Sequence, residues 1–232
     1  MDGNQKYSQC SLCPMNRRGF LKAGCAAGLG FLGAKPLSAE EKPKPKIRII
    51  YSLHEVVQPR PDWPNIGFDF EPVMKRVESH LRNGCPDMDF VTSMAKGEQE
   101  ATAILEQDGG QNIDGYVVYQ LNCWNRVVQT IAASGKPVLY VDFQYGGSGG
   151  FLVYTAKFIR DKTPNLGFIA SSDINDVVEA VRCFRLMKNG GLANHFAEAV
   201  KQTRIASTPN PGDLACLADP LDLLSIEDCE KK

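Results

Sequence analysis

Between residues 47 and 188, short runs of β-branched and aromatic residues alternate with stretches whose apolar positions recur every three or four residues. Five of the short runs read as strands: 47–51 (Ile-Arg-Ile-Ile-Tyr), 89–92, 115–120 (Gly-Tyr-Val-Val-Tyr-Gln), 137–142 (Pro-Val-Leu-Tyr-Val-Asp) and 166–170. The periodic stretches predict helices at 72–81, 98–106, 124–133, 150–160 and 173–188. In the first of these Val73, Met74, Val77 and Leu81 share one face, and Asp69 is placed to cap it. A helix after each strand requires crossover connections, which join parallel neighbours in a right-handed sense. The strands are apolar almost throughout, as burial on both sheet faces demands. The expectation is an α/β, doubly wound, mostly parallel five-stranded sheet of flavodoxin/Rossmann-like type, with helices on both faces.

The pattern also sets the boundaries. Residues 1–39 carry no core pattern and read as an export signal. Asn16-Arg17-Arg18-Gly19-Phe20-Leu21-Lys22 has the twin arginine pair and its following residues, and an apolar run covers 23–32. Leu37-Ser38-Ala39 ends on a small residue before Glu40. A bilayer-spanning helix needs about 20 apolar residues, so the run is a signal and not a stable span. A twin-arginine translocase is thus an expected partner, and the periplasm or the exterior the expected location. Residues 40–46 (Glu-Glu-Lys-Pro-Lys-Pro-Lys) form a charged, proline-broken linker. The α/β domain is expected over 47–190. Gly190-Gly191 then breaks the pattern, and 191–232 reads as an irregular or partly helical tail.

Charge narrows the partners. The chain of 232 residues has a formal net charge of −1. Lys6, Arg17, Arg18, Lys22 and Lys35 against Asp2 place positive charge in the signal, which leaves the remainder mildly acidic and without basic stripes. That composition argues against nucleic acid as a ligand. Of eight cysteines, Cys10, Cys13 and Cys25 lie in the signal. Cys85, Cys123, Cys183, Cys216 and Cys229 remain, an odd and scattered set that reads as thiols with at most one or two bridges. No His-x-x-x-His or Glu-x-x-His motif predicts a metal site, and no Gly-x-Ser-x-Gly predicts a serine nucleophile. Self-association is left open.

Candidate chemistry follows from the fold, because open α/β sheets bind ligands beyond the carboxyl ends of their strands. His54, with Glu55, follows the first strand. Gln120, Asn122, Cys123, Trp124 and Asn125 follow the third. Amide side chains beside an indole suit a sugar or other polyol, whose hydroxyls need donors and acceptors and whose C–H face packs on a ring. The same residues equally suit a core tryptophan and a helix cap. Asp142, Gln144 and Tyr145 follow the fourth strand, ahead of Gly146-Gly147-Ser148-Gly149-Gly150. That glycine run is open to two readings, a backbone cradle for phosphate or a tight turn. Cys123 alone precedes a helix at a strand exit, where a thiolate is favoured.

The segment 112–151 resembles the amino-terminal domain of the L-fucose/L-arabinose isomerase superfamily. The likeness lies in Ile113-Asp114-Gly115 entering a strand, the polar-aromatic segment Asn122 to Trp124, and Gly135-Lys136-Pro137-Val138-Leu139 on the next strand. It implies a carbohydrate or polyol ligand met at most by the regions Gln120 to Trp124 and Asp142 to Tyr145, and with His54 from the first strand exit the candidate binding residues are His54, Gln120, Asn122, Trp124, Asp142, Gln144 and Tyr145. In that family the carboxylates and histidine that hold Mn²⁺ come mainly from later domains. No catalytic residue is therefore carried over, no cofactor is expected in this chain, and Mn²⁺ would enter only if further domains completed the site. The expected function is that of an exported, sugar-isomerase-like domain without its catalytic domains. Two alternatives stand beside it: a periplasmic sugar-binding module, and a cysteine-dependent redox protein acting through Cys123.

Overall fold

A computed structural model describes residues 43–61 and 63–208. The segment expected to be an export signal, Cys10, Cys13, Cys25, Cys216, Cys229 and the carboxyl-terminal part of the expected tail lie outside the described residues. Among the described residues five strands form one sheet: β1 (Lys46–Ser52), β2 (Asp89–Ala95), β3 (Gly115–Gln120), β4 (Val138–Asp142) and β5 (Leu166–Ile169). Their order is β2-β1-β3-β4-β5, and every pair is parallel, with Ile49 opposite both Thr92 and Val117. The fold is therefore the doubly wound α/β sheet expected from the sequence.

Side chains alternate across the pleat and so feed two cores. Ile47, Ile49, Tyr51, Val117, Leu139 and Val141 face helices α1 (Glu71–Gly84) and α5 (Ile174–Arg182). Ile50, Tyr116, Val118, Val138 and Tyr140 face α2 (Glu98–Asp108), α3 (Val127–Ala132) and α4 (Ser148–Arg160). α1 buries the face read from the sequence, Val73, Met74, Val77 and Leu81. Asp69 does act at its start, accepting the amide of Glu71 at 2.9 Å.

Three differences from the sequence pattern have local causes. α3 begins at Val127 and not at Trp124, because Trp124 and Arg126 take left-handed backbone conformations (φ 65° and 58°) that a right-handed helix excludes. The helix expected over 173–188 is broken into α5 and a short α6 (Arg185–Lys188). Between them Phe184 is fully buried and stacks on Phe196, their centroids 4.2 Å apart. Gly115 makes room for it, since a Cβ there would stand 2.3 Å from the Phe184 ring. Finally, α7 (Ala193–Ser207) carries the layered unit past residue 190. It buries Phe196 and Val200 over β5, where Gly167 lets Val200 approach. Among the described residues, no helix is long and apolar enough to cross a membrane.

Candidate functional site

The connections after β1 and β3 leave for opposite faces of the sheet, so the carboxyl rim opens between these two strands. The polar residues there are turned inward. Gln120 and Asn122 are completely buried. Gln120 Oε1 accepts from the Tyr140 hydroxyl at 2.8 Å, and its Nε2 donates to Asn122 O and, at 3.3 Å, to Asn125 Oδ1. Ser52 Oγ donates to Asn125 Oδ1 at 2.7 Å. Asn122 Oδ1 accepts the His54 amide at 2.9 Å, and its Nδ2 donates to Gln58 Oε1 at 3.2 Å. These amides tie the exit of β1 to that of β3. Burial without such partners would cost roughly 1–3 kcal/mol per group. Their hydrogen-bonding capacity is thus used inside the protein and not presented to solvent.

The glycine run packs closely against this loop. A Cβ at Gly147 would sit 2.0 Å from Gln120 O, and one at Gly146 would sit 2.5 Å from Leu121 O. The amides of Gly146 and Gly147 both donate to Phe143 O at 2.9 Å. Cys123 fastens the contact: its thiol donates to Gly146 O, and Gly150 N donates to its sulfur at 3.2 Å. Of the two sequence readings of this segment, the tight turn accounts for its glycines. Gly146 and Gly147 are there for close backbone approach, and their amides are already taken.

The remaining candidates fall in separate places. Asp142, Gln144 and Tyr145 come together in a cleft of about 350 Å³ between α1 and the ends of β3, β4 and β5. Arg76 and His80 of α1 and Ser171 and Asp173 before α5 complete its walls. Tyr145 is 66% exposed, its ring 5.4 Å from that of Phe143. Asp142 is only 6% exposed. Its Oδ2 accepts from Ser148 Oγ at 3.0 Å, while its Oδ1 is buried with no partner. Burial holds the Asp142 carboxyl above its ordinary range, partly offset by the Ser148 bond. Burial likewise pushes the neighbouring Tyr119 phenol up to about 12. Asp173 caps α5, accepting the Asn175 amide at 2.9 Å.

His54 lies elsewhere, in a second cleft of about 400 Å³ with Arg60, Lys96 and Glu55. Its Nε2 is 3.1 Å from Cys123 O, and Lys96 pairs with Glu55 at 2.6 Å. Trp124 stands on the rim, 62% exposed, edge-on to Tyr154 at 6.1 Å. The structure therefore gathers three of the seven sequence candidates, Asp142, Gln144 and Tyr145. Sequence reasoning missed Ser171 and Asp173, although the strand-exit rule applied to the fifth strand reaches both. Arg76 and His80 gave no signal, because only the packing of α1 brings its polar side to the rim.

Among the described residues no three His, Cys, Asp or Glu side chains gather where they could hold a metal ion. The Mn²⁺ chemistry of the isomerase family has no ligand set among them. Among the described residues Cys85, Cys123 and Cys183 form no disulfide with one another.

No protein-family model matches the chain, and no curated protein does. Among solved structures, the lysine decarboxylase LdcF of Francisella novicida is similar at 14% identity and a TM-score of 0.36. The likeness covers 70% of this chain and 18% of the decarboxylase chain. Nothing of that protein's activity is transferred at this level of similarity.

Proposed function

We propose that this chain is an exported domain that binds a carbohydrate or related polyol, similar to the first domain of the L-fucose/L-arabinose isomerases and without a catalytic centre of its own. The cleft holding Asp142, Gln144 and Tyr145 carries the proposal. Its volume of about 350 Å³ falls within the range of roughly 300–1,000 Å³ common for small-molecule sites. Its polar groups are mixed: Asp142 and Asp173 accept, Arg76 donates, and the Gln144 amide does both. A hydroxyl also donates and accepts, so a polyol satisfies such a lining better than a purely anionic or cationic ligand does. The exposed Tyr145 ring offers a face for the C–H side of a sugar. The twin-arginine motif at Arg17 and Arg18 supports export.

The test is titration calorimetry of the protein against pentoses, hexoses, deoxyhexoses and linear polyols. Saturable binding of at least one is expected, and Tyr145→Ala should weaken it roughly tenfold by removing the stacking face. Absence of binding across the panel would refute the polyol reading. Export is tested separately by fractionating cells that express Arg17→Lys/Arg18→Lys. Retention of the chain in the cytoplasm is expected, and unchanged export would refute a twin-arginine route.

A further inference from the structure

Among the described residues β5 ends the sheet and pairs with β4 alone. Across that pair Val138 donates its amide to Asn165 O at 2.9 Å. A residue in a parallel ladder bonds to one side only, and direction alternates along the strand. Leu166 and Phe168 therefore turn their N–H and C=O groups to the open side. A groove of about 720 Å³ follows this edge, with Ile159 and Lys162 on one wall, Lys201 and Arg204 of α7 on the other, and Leu166 and Phe168 at its base. It is distinct from the cleft assigned to the polyol.

Proteins commonly blunt an exposed strand edge with a charge, a proline or a bulge on the strand itself. β5 is short, at four residues, and α7 packs on one of its faces, but the strand itself, Leu-Gly-Phe-Ile, carries none of these. The charges stand on the walls and are mostly of one sign. Lys162, Lys201 and Arg204 face Glu198 as the groove's one acid, and Glu198 is shared with Lys201 at 3.4 Å and Gln202 at 2.7 Å. The Arg204 guanidinium lies 3.8 Å above the Phe168 ring, which holds a cation over the strand. Backbone groups without a strand partner, an apolar base and basic walls together specify an occupant.

We infer that the β5 edge accepts a sixth strand from a partner polypeptide, an extended segment that alternates apolar residues with Asp or Glu. Its backbone would pair with Leu166 and Phe168. Its apolar side chains would meet Ile159 and Phe168, and its carboxylates, on the other side of the strand, would meet Lys201 and Arg204 of α7.

The probe is a fluorescent peptide of about ten residues that alternates Val with Glu, titrated into the full chain by anisotropy. It should bind at least tenfold more tightly than its Val-Lys counterpart, and weaken as salt rises. Lys201→Glu/Arg204→Glu should abolish that preference. Hydrogen exchange should slow at the Leu166 and Phe168 amides on binding, and not along β2 at the opposite edge. Equal affinity for the two peptides, or no added protection on β5, would overturn the inference. Carbodiimide coupling of the full chain supplies a further check. Links within one chain from Lys162 or Lys201 to acidic residues between Asp213 and Glu230 would mean that the chain covers its own edge, and would overturn the assignment to a partner.

Discussion

The buried pair Arg48–Asp108 gives the sharpest test of how this core is held. Arg48 points from β1 into the face packed by α2, and Asp108 closes the last turn of that helix. Their side chains are 3% and 1% exposed. Arg48 Nε donates to Asp108 Oδ2 at 2.7 Å, and Nη2 donates to Oδ1. The remaining guanidinium donors reach Ser93 Oγ at 2.6 Å and Gln111 Oε1 at 3.4 Å. A carboxylate at a helix carboxyl terminus opposes the helix dipole, so Asp108 owes its place to the arginine. Asp108→Leu would leave a guanidinium without its counter-charge in a dry site. Breaking such a pair costs about 3–5 kcal/mol. For a domain of this size each kcal/mol moves the melting midpoint by about 2–4 °C, so the variant should melt roughly 6–20 °C lower. Arg48→Met/Asp108→Leu removes both charges at similar volume, and should recover to within about 1 kcal/mol of the parent. Urea unfolding of the two single variants and the double variant, read as a double-mutant cycle, measures the coupling. A loss below about 1 kcal/mol in Asp108→Leu, or a double variant no more stable than the singles, would refute the reasoning.

Asp142→Asn should stabilise the protein at neutral pH, because it removes a charge that burial disfavours and keeps an acceptor for Ser148 Oγ. Burial raises the folded-state pKa of this carboxyl above its ordinary 3.8, so the native form binds the proton more tightly. The cost is absent below 3.8 and grows as pH rises through the folded value, so the gain from Asn should vanish in melts recorded below pH 3.8. A gain that persists in acid would sink this account. Gly147→Ala should unfold the chain or lose it to proteolysis, because its Cβ meets Gln120 O at 2.0 Å. Gly110→Ala has nothing within 4 Å and should melt within about 1 °C of the parent; equal melting of the two variants would contradict the close-approach role.

The site was less legible than the fold. The strand-exit rule located the rim, and Asp142, Gln144 and Tyr145 do meet there. The same rule could not tell inward from outward amides. Gln120 ends a strand buried on both faces, so its side chain is directed into the Tyr140–Asn125 network. Asn122, two residues on, is held inside by His54 and Gln58, which are more than sixty residues away in sequence. No local pattern carries that information. The glycine run stayed open between two readings for a related reason: its requirement for Gly comes from the backbone of β3's exit, which lies far from it in sequence.

Local chemistry by itself determined the five strands, the faces of α1, and the crossovers that make the sheet parallel, because periodicity and β-branching act over a few residues. Tertiary packing decided where helices start and break. Left-handed Trp124 and Arg126 delay α3, and the burial of Phe184 against Gly115 and Phe196 bends the chain after α5. Packing also drew residues beyond 190 into the core, through Phe196 and Val200 over β5. Burial is a property of what lies opposite a side chain, and what lies opposite is set by residues distant in sequence.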